Sequence, residues 1–348
     1  MNKQITVRST KSVFSTQLSS KGIRVIALLM MLVAITSVVS ISIGSMQIPL
    51  RDVIAVLFGA HHDMYSIIIL DLRLPRTLLA IMIGAALAVS GTLLQGVIRN
   101  PLASPELTGV TGGASVAAVA FMTLGSGQWS IHWIPLIAII GGMIIAMLNY
   151  ICAWKGGVSP YRLVLIGIGF STAMSALTTF LLISGPAFLA SQVLGWMTGT
   201  IYGLSMDYVW VILPWFCIFM PLSLLLARVL NVHLLGDSVA CGVGNTVQRH
   251  RLLLLFISVA LSGAAVGVAG GISFIGLMAP HIARKLVGPL HGVLIPVSAL
   301  IGALLLLVAD MAGRTVFSPT EIPAGVFTAA IGAPFFLLLL YKGRSSTA

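Results

Sequence analysis

Few residues in this sequence of 348 residues are of the types that carry out chemistry, since only 8% are charged. His61, His62 and Asp63 resemble a metal-binding group, but two adjacent histidines cannot fix a coordination geometry. We therefore interpret them as part of a solvated loop. The three cysteines lack the spacing of metal ligands or of a disulfide framework, so we interpret them as small apolar side chains. The sequence predicts no metal site.

Motifs for nucleotide binding and hydrolysis are missing from the sequence. It contains no G-x-x-x-x-G-K-[ST] loop, no H-E-x-x-H and no G-x-S-x-G. Asp310 is the one acid noted inside a predicted span, near its outer end, whereas a proton- or sodium-coupled transporter usually needs a mid-span carboxylate. An intramembrane enzyme would need a buried nucleophile or a polar pair. The less favoured alternatives are thus an ion-coupled secondary transporter and an intramembrane enzyme. An importer of this composition should take its energy from another protein.

Two arginines stand at the start of a long apolar run in "DLRLPRTLLA" (71–80). Arg73 and Arg76 occupy a costly place for a cation unless they have a function or extend to the membrane surface as anchors. They are the first candidate binding residues of the chain.

The elements that must position these residues are membrane-spanning helices. The chain is 58% hydrophobic, far from the composition of a soluble domain, and several apolar runs approach the roughly 20 residues that a bilayer requires. The net charge of +11 is spread over short loops and not gathered on one face, which argues against nucleic acid as a partner. We predict an all-α integral membrane protein with a tail at 1–24, a permease domain at 25–341 and a tail at 342–348. The ten predicted spans are 25–44, 77–97, 105–124, 133–153, 161–183, 208–228, 252–270, 272–287, 293–313 and 324–341.

The distribution of lysine and arginine predicts the orientation of these spans. With both termini in the cytoplasm, fifteen of the nineteen basic residues lie inside, as the positive-inside rule expects. The four outside are Arg51, Arg73, Arg76 and Arg314. The two arginines of 71–80 therefore lie on the side where basic residues are rare, which makes them a feature to explain.

Two segments between spans have patterns of their own. Segment 46–59 is amphipathic and predicts an interfacial helix on the outer face. Segment 185–203 is glycine-rich and predicts either a short helix that caps a pathway or a plain loop. The long polar segment 231–251 lies inside and is either a solvated loop or a docking element for a cytoplasmic partner.

Small residues recur at spacings that allow close helix packing. Gly84 and Gly91 lie on one side of the second span, and Gly263, Gly267 and Gly271 follow at every fourth position in the seventh. Such spacing lets helix backbones approach closely in lipid, and we predict packing and gating roles for these glycines.

Four stretches of the chain resemble one family of membrane proteins. They are "RLPRTLLAIMIGAALAVSGTLLQGVIRNPLASPELTGV" (73–110), "GDSVACGVG" (236–244), "GGISFIGLMAPHIAR" (270–284) and "LLLLVADMAGRTVFSPTEIPAGVFTAAIGAPFF" (304–336). Together they resemble the FecCD-type permeases, the membrane subunits of ABC importers for iron–siderophore complexes, haem and cobalamin. The resemblance implies the type II ABC importer permease fold with ten transmembrane helices. A ferric siderophore is the favoured substrate, and haem or cobalamin is the alternative.

The resemblance also implies partners and the residues that meet them. A second permease subunit, identical or paralogous, would pair with this chain. Two cytoplasmic subunits would bind ATP and Mg. The resemblance therefore implies that this chain has no cofactor and is not itself an enzyme. An extracytoplasmic substrate-binding protein would place acidic residues on Arg73, Arg76 and Arg314. The coupling motif E-x-x-A-x-x-x-G is similar to 236–244, which has Asp in place of Glu. The residues concerned are Gly236, Asp237, Ala240 and Gly244. The location implied is the bacterial cytoplasmic membrane.

Overall fold

The computed structural model describes residues 4–8, 15–44, 46–59, 63–106, 108–125, 129–155, 158–185, 187–317 and 320–344. In this part of the chain nearly every element is a helix. The helices are α1 Ser20–Ser42, α2 Leu50–Leu57, α3 Asp63–Ile67, α4 Leu74–Ile98, α5 Val110–Leu124, α6 Ile134–Cys152, α7 Pro160–Ser184, α8 Ala187–Met197, α9 Met206–Leu225, α10 Ala227–His233, α11 Asp237–Gly242, α12 Val247–Ala269, α13 Ile275–Val287, α14 His291–Thr315 and α15 Ala324–Arg344. A π-helical turn, Ile68–Arg73, joins α3 to α4, and a 3₁₀ turn, Ile131–Trp133, precedes α6.

The predicted N-terminal tail contains a short β-ribbon. Strands β1 (Gln4–Arg8) and β2 (Ser15–Ser19) pair antiparallel, with Gln4 opposite Ser19 and Arg8 opposite Ser15. The sequence prediction had no secondary structure here. The ribbon leads directly into α1, and β2 also contacts α14.

Each of the ten predicted spans falls on one helix of the described residues, namely α1, α4, α5, α6, α7, α9, α12, α13, α14 and α15. Among the residues that the structure describes, seven segments are long and apolar enough to cross a membrane, including the continuous segment Tyr65–Ile98. The predicted starts of the third and eighth spans are wrong. The third helix begins only at Val110, because Gly109 before it has φ +76°, and the eighth covers 13 residues, about 20 Å of helix.

The core is formed by α4, α12 and α14. Most of α4 and α12 is buried, and α4 packs along α14 and α13. Glycine permits this approach. A Cβ on Gly84 would lie 2.3 Å from the carbonyl oxygen of Gly302 in α14, and one on Gly91 would lie 1.9 Å from that of Gly276 in α13. No side chain fits at either position, so the backbones themselves are in contact.

The glycines of the seventh span divide into two groups. Gly263 and Gly267 lie in α12, where a Cβ would meet the backbone of Ile139 at 2.9 Å and of Pro135 at 2.5 Å in α6. Gly271 follows the end of α12 at Ala269, so its predicted place in that helix is wrong. Its Cβ would be 3.1 Å from the carbonyl oxygen of Met197, the last residue of α8.

Two predicted segments outside the spans are helical. Segment 46–59 contains α2, which buries Val53 and Val56 against α1 and the π-helical turn, while its other apolar side chains are exposed. Segment 185–203 contains α8. Of the two predicted alternatives, a short helix or a plain loop, the helix is therefore the one observed.

Candidate functional site

Candidate functional side chains lie at both ends of α4. Arg76 is in its first turn, and Arg99 follows its last residue, so the two are separated by about 35 Å along the helix axis. We call the end with Arg76 the Arg76 end and the other the Asp237 end. Most of the residues predicted as binding sites fall into these two groups.

Arg76 is held by two carboxylates from other elements. Its Nε donates to Oδ1 and Oδ2 of Asp310 in α14 at 2.9 and 3.0 Å, and its Nη2 is 2.8 Å from Oδ1. Its Nη1 donates to Oε2 of Glu321, in the segment before α15, at 2.8 Å. The exposed fractions of the side chains are 12% for Arg76, 3% for Asp310 and 32% for Glu321. Asp310 is thus a buried partner and Glu321 a partly exposed one.

Arg73 is bound to the backbone at the end of α1 and in the segment that leads to α2. Its Nη1 donates to the carbonyl oxygens of Ile41 at 2.6 Å and Ser42 at 3.0 Å, and its Nη2 donates to that of Met46. Gly44 lies against the guanidinium, where a Cβ would be 2.7 Å from Nη2. Arg73 is buried, and these carbonyl groups replace the water that its charge loses.

Arg314 is buried in the same way on the other side of Asp310. Its Nη2 donates to the carbonyl oxygen and to Oγ of Ser40, both at 2.6 Å, and its Nε is 3.8 Å from Oδ2 of Asp310. The structure therefore brings the three predicted arginines together where α1, α4 and α14 meet. Their docking role stays a prediction, and the guanidinium groups of Arg73 and Arg314 are already bound within the chain.

A cavity of about 490 Å³ opens at the Arg76 end. Its lining includes all three arginines with Asp71, Tyr202 and Glu321. The guanidinium carbon of Arg76 lies 5.6 Å from the ring centroid of Tyr202, a cation–π distance, and Tyr202 is exposed. Of the residues in this cavity, the sequence analysis singled out the arginines alone.

At the Asp237 end, one carboxylate joins several elements. Asp237 begins α11, and its Oδ1 is 3.1 Å from Nη2 of Arg99 and 3.0 Å from Nη2 of Arg251 in α12. Oδ2 lies 2.9 Å from the same Arg251 atom. Gly236 and Gly244, on either side of α11, have φ of +95° and +81°, which L side chains rarely adopt. The predicted coupling motif is therefore a short helix between two glycine turns.

Arg251 extends this arrangement, which we call the Asp237 network, to other helices. Its side chain is only 1% exposed, and Nη1 donates to the carbonyl oxygen of Val158, just before α7, at 2.7 Å. It also donates to Oε1 of Gln248 at 3.4 Å, which accepts a hydrogen bond from Tyr150 of α6. The carboxylate of Asp237 thus connects α11 to the ends of α4 and α12 and, through Arg251, to the start of α7.

Two further residues at the Asp237 end, Ala240 of the motif and His233 before it, are buried. Ala240 is fully buried in α11, and a larger side chain in a well-packed interior is usually destabilising. His233 at the end of α10 is buried too, and neither of its ring nitrogens has a hydrogen-bond partner. Burial and, second, the charge of Arg251 lower the pKa of His233 to about 4. His233 is therefore neutral at pH 7.

Glu106 is an acid that the sequence analysis missed. It lies in the bend before α5, where its Oε1 accepts the backbone N–H of Phe274 at 3.2 Å and its Oε2 accepts from Ser104 Oγ at 3.2 Å. Phe274 directly precedes α13. Glu106 therefore connects the non-helical segment before α5 to the one before α13. The signal was present, because Glu106 was an acid at the start of the predicted third span.

No group of three or more potential metal ligands occurs in the parts of the chain that the structure describes. His61 and His62 lie outside those parts. The partners of the predicted residues, Arg99, Arg251 and Glu321, were also missed, because nothing in the order of the residues indicates which distant side chains meet.

Comparison with known proteins agrees with this architecture. The model of the FecCD transport family matches residues 31–342. The achromobactin transport system permease protein of Dickeya dadantii is 42% identical over 95% of this chain and 95% of its own length. The iron(3+)-hydroxamate import system permease protein of Bacillus subtilis is 38% identical over 94% of this chain and 99% of its own length.

A solved structure shows the same fold. A metal-chelate type ABC transporter in an inward-facing conformation matches with a TM-score of 0.82 and 31% identity, over 92% of this chain and 99% of that chain. The all-α ABC importer permease fold is therefore confirmed. By sequence, by family model and by fold, this chain belongs to the FecCD transport family.

Proposed function

We propose that this chain is the membrane-spanning subunit of an ATP-driven importer that carries iron–siderophore complexes across the bacterial cytoplasmic membrane. The family and the named substrates of the relatives, achromobactin and iron(3+)-hydroxamate, support the substrate class. The chain has no P-loop, so ATP is bound and hydrolysed by separate subunits. A second permease subunit completes the pathway.

The observation that carries the proposal is the Asp237 network. A coupling element must be held firmly to the helices that it moves, because a ligand-driven shift passes only through groups that are packed or bonded together. The short helix α11 is tied by one carboxylate to Arg99 and Arg251, and so to α4, α12 and the start of α7. We assign α11 as the element on which an ATPase subunit docks, with its side of the membrane in the cytoplasm.

The Arg76 end then faces outward, at the opposite end of α4. There a substrate-binding protein delivers the loaded siderophore. Exposed ion pairs contribute little affinity each, about 0.2–1 kcal/mol, so such contacts set the register and the rate of encounter more than the strength of binding. The specificity for one chelate resides in the delivery protein and not in this chain.

The test is uptake of radioactive iron by cells that depend on this importer. Arg76→Gln should lower uptake while the ATPase subunits still purify with the membrane subunit. Arg51→Gln is the control, since Arg51 is an exposed arginine of α2. Uptake that survives ATP depletion and stops with a protonophore would overturn the ATP-driven mechanism, and equal uptake of iron with and without a siderophore would overturn the substrate class.

A further inference from the structure

The two carboxylates on Arg76 are not equivalent. Asp310 accepts from two nitrogens of the guanidinium and is 3% exposed, so it cannot leave without stranding charges in the core. Glu321 accepts from Nη1 alone, is 32% exposed, and lies in the non-helical segment before α15. A rotation of the Glu321 side chain into solvent would free Nη1 and leave the rest of the contacts in place.

In Arg73 and Arg314, the rotation of one exposed carboxylate would not free a guanidinium nitrogen in this way. The Nη atoms of Arg73 donate to backbone carbonyl oxygens, and Nη2 of Arg314 donates to Ser40, all inside the fold. Backbone acceptors cannot rotate away as a side chain does. Of the three arginines that line the cavity, Arg76 is therefore the one that an incoming carboxylate can reach by displacing a single partly exposed side chain.

The surroundings of Nη1 fit a carboxylate from a protein partner. The cavity beside it is lined by three arginines and by the carboxylates of Asp71 and Glu321, and Asp310 lies behind them. These charges balance while Glu321 is in place, and the site gains one positive charge when Glu321 leaves. The exposed ring of Tyr202 lies against Arg76, and tyrosine and arginine are among the residues enriched at the centre of protein interfaces.

We propose that Glu321 is a resident carboxylate that occupies Arg76 when the importer is free, and that a carboxylate of the extracytoplasmic binding protein displaces it on docking. This inference rests on the proposed function. Each docking event exchanges one ion pair for another, so the attraction between the two proteins is reduced and the delivery protein is released easily after the substrate has passed. Glu321 thus lowers the affinity of the complex instead of contributing to it.

The test is the affinity of the siderophore-loaded binding protein of the same importer for the complete transporter in lipid nanodiscs. Glu321→Gln should tighten binding about two- to five-fold, the range that one partly exposed ion pair allows. In an Arg76→Gln background the same substitution should have no effect. Asp71→Asn is the matched control, because Asp71 is an exposed acid of the same cavity and its removal changes the net charge equally.

The outcomes separate the two proposals. Unchanged affinity of Arg76→Gln would overturn the docking role of Arg76 itself. Weaker binding by Arg76→Gln, with unchanged or weaker binding by Glu321→Gln, would overturn the exchange and leave the docking role standing. Equal tightening by Asp71→Asn and Glu321→Gln would also overturn it, since the cause would be net charge. Purification with the ATPase subunits and an unchanged melting temperature establish folding, and Glu321→Met repeats the test if Glu321→Gln does not fold.

Discussion

Substitution of Asp237 by Asn should detach α11, which we propose as the coupling helix, from the membrane helices. Asparagine keeps the shape of the side chain but removes the charge that both arginines share. Arg251 is 1% exposed and keeps its own charge, so its Nη2 would then face a neutral amide. We expect α11 to lose its fixed position and the ATPase subunits to bind less tightly.

The magnitude follows from the exposure of the two partners. Breaking a fully buried ion pair costs about 3–5 kcal/mol, and breaking an exposed one about 0.2–1 kcal/mol. Asp237 is 40% exposed while Arg251 is buried, which places this pair between the two limits, at about 1–3 kcal/mol. If α11 must be ordered before an ATPase subunit binds, the affinity falls by about 5- to 150-fold.

The assay is the binding of the ATPase subunits to the membrane subunits in nanodiscs, together with ATP hydrolysis stimulated by the loaded binding protein. The variants are Asp237→Asn, Arg251→Gln and the double variant. Since the two side chains share one contact, and the remaining contact of Asp237 with Arg99 is partly exposed, the loss in the double variant should be smaller than the sum of the two single losses. Arg249→Gln is the control, because Arg249 is exposed on the same turn of α12.

Two results would refute the reasoning. If the losses in the two single variants simply add in the double variant, the two side chains act separately and the pair does not hold α11. If Arg249→Gln weakens ATPase binding as much as Arg251→Gln, the effect comes from positive charge at this surface and not from the buried contact.

Two further predictions concern packing and pH. Gly91→Ala should lower the melting temperature of the purified protein strongly, because its Cβ would overlap the carbonyl oxygen of Gly276, and such overpacking costs about 1–3 kcal/mol or more. The control is Gly292→Ala in α14, which should be neutral because the space around Gly292 is open. Equal melting temperatures for the two variants would contradict the packing argument. Buried neutral His233, with its pKa lowered to about 4, contributes full stability above its ordinary value of 6.5 and loses it as the pH falls from 6.5 toward 4. His233→Phe should therefore show a smaller fall in melting temperature between pH 7 and pH 5 than the unchanged protein, and parallel pH profiles of the two would count against that assignment.

Much of the fold followed from local properties of the sequence. Apolar runs of the length of a bilayer predicted where helices lie, since a lipid environment requires every backbone group to be bonded within its own helix. The prediction failed where short-range geometry interrupts a run. The bend before α5 ends at Gly109 with a positive φ, and α13 is a short helix preceded by Phe274 at φ +66°.

The candidate sites depended on contacts that hydropathy does not report. Arg73, Arg76 and Arg314 stood out on the side where basic residues are rare, and the resemblance to FecCD-type permeases then made them docking candidates. In the sequence they appeared as free charges. In the structure a carboxylate 234 residues away, that of Asp310, holds Arg76, and backbone carbonyl groups of the α1–α2 turn hold Arg73. A free arginine and a bound one look the same in the sequence.

By itself, the sequence determined that this chain has the apolar runs of a membrane protein, that it contains no P-loop motif, and which short segments differ from plain apolar helix. Periodicity and composition suffice for these conclusions because they are properties of neighbouring residues. Only the tertiary structure decided which charges are paired, that Asp237 is held by Arg99 and Arg251, and that Glu321 already occupies Arg76. Ion pairs between distant residues form because folding brings their helices together, and the interior then requires each buried charge to have a partner.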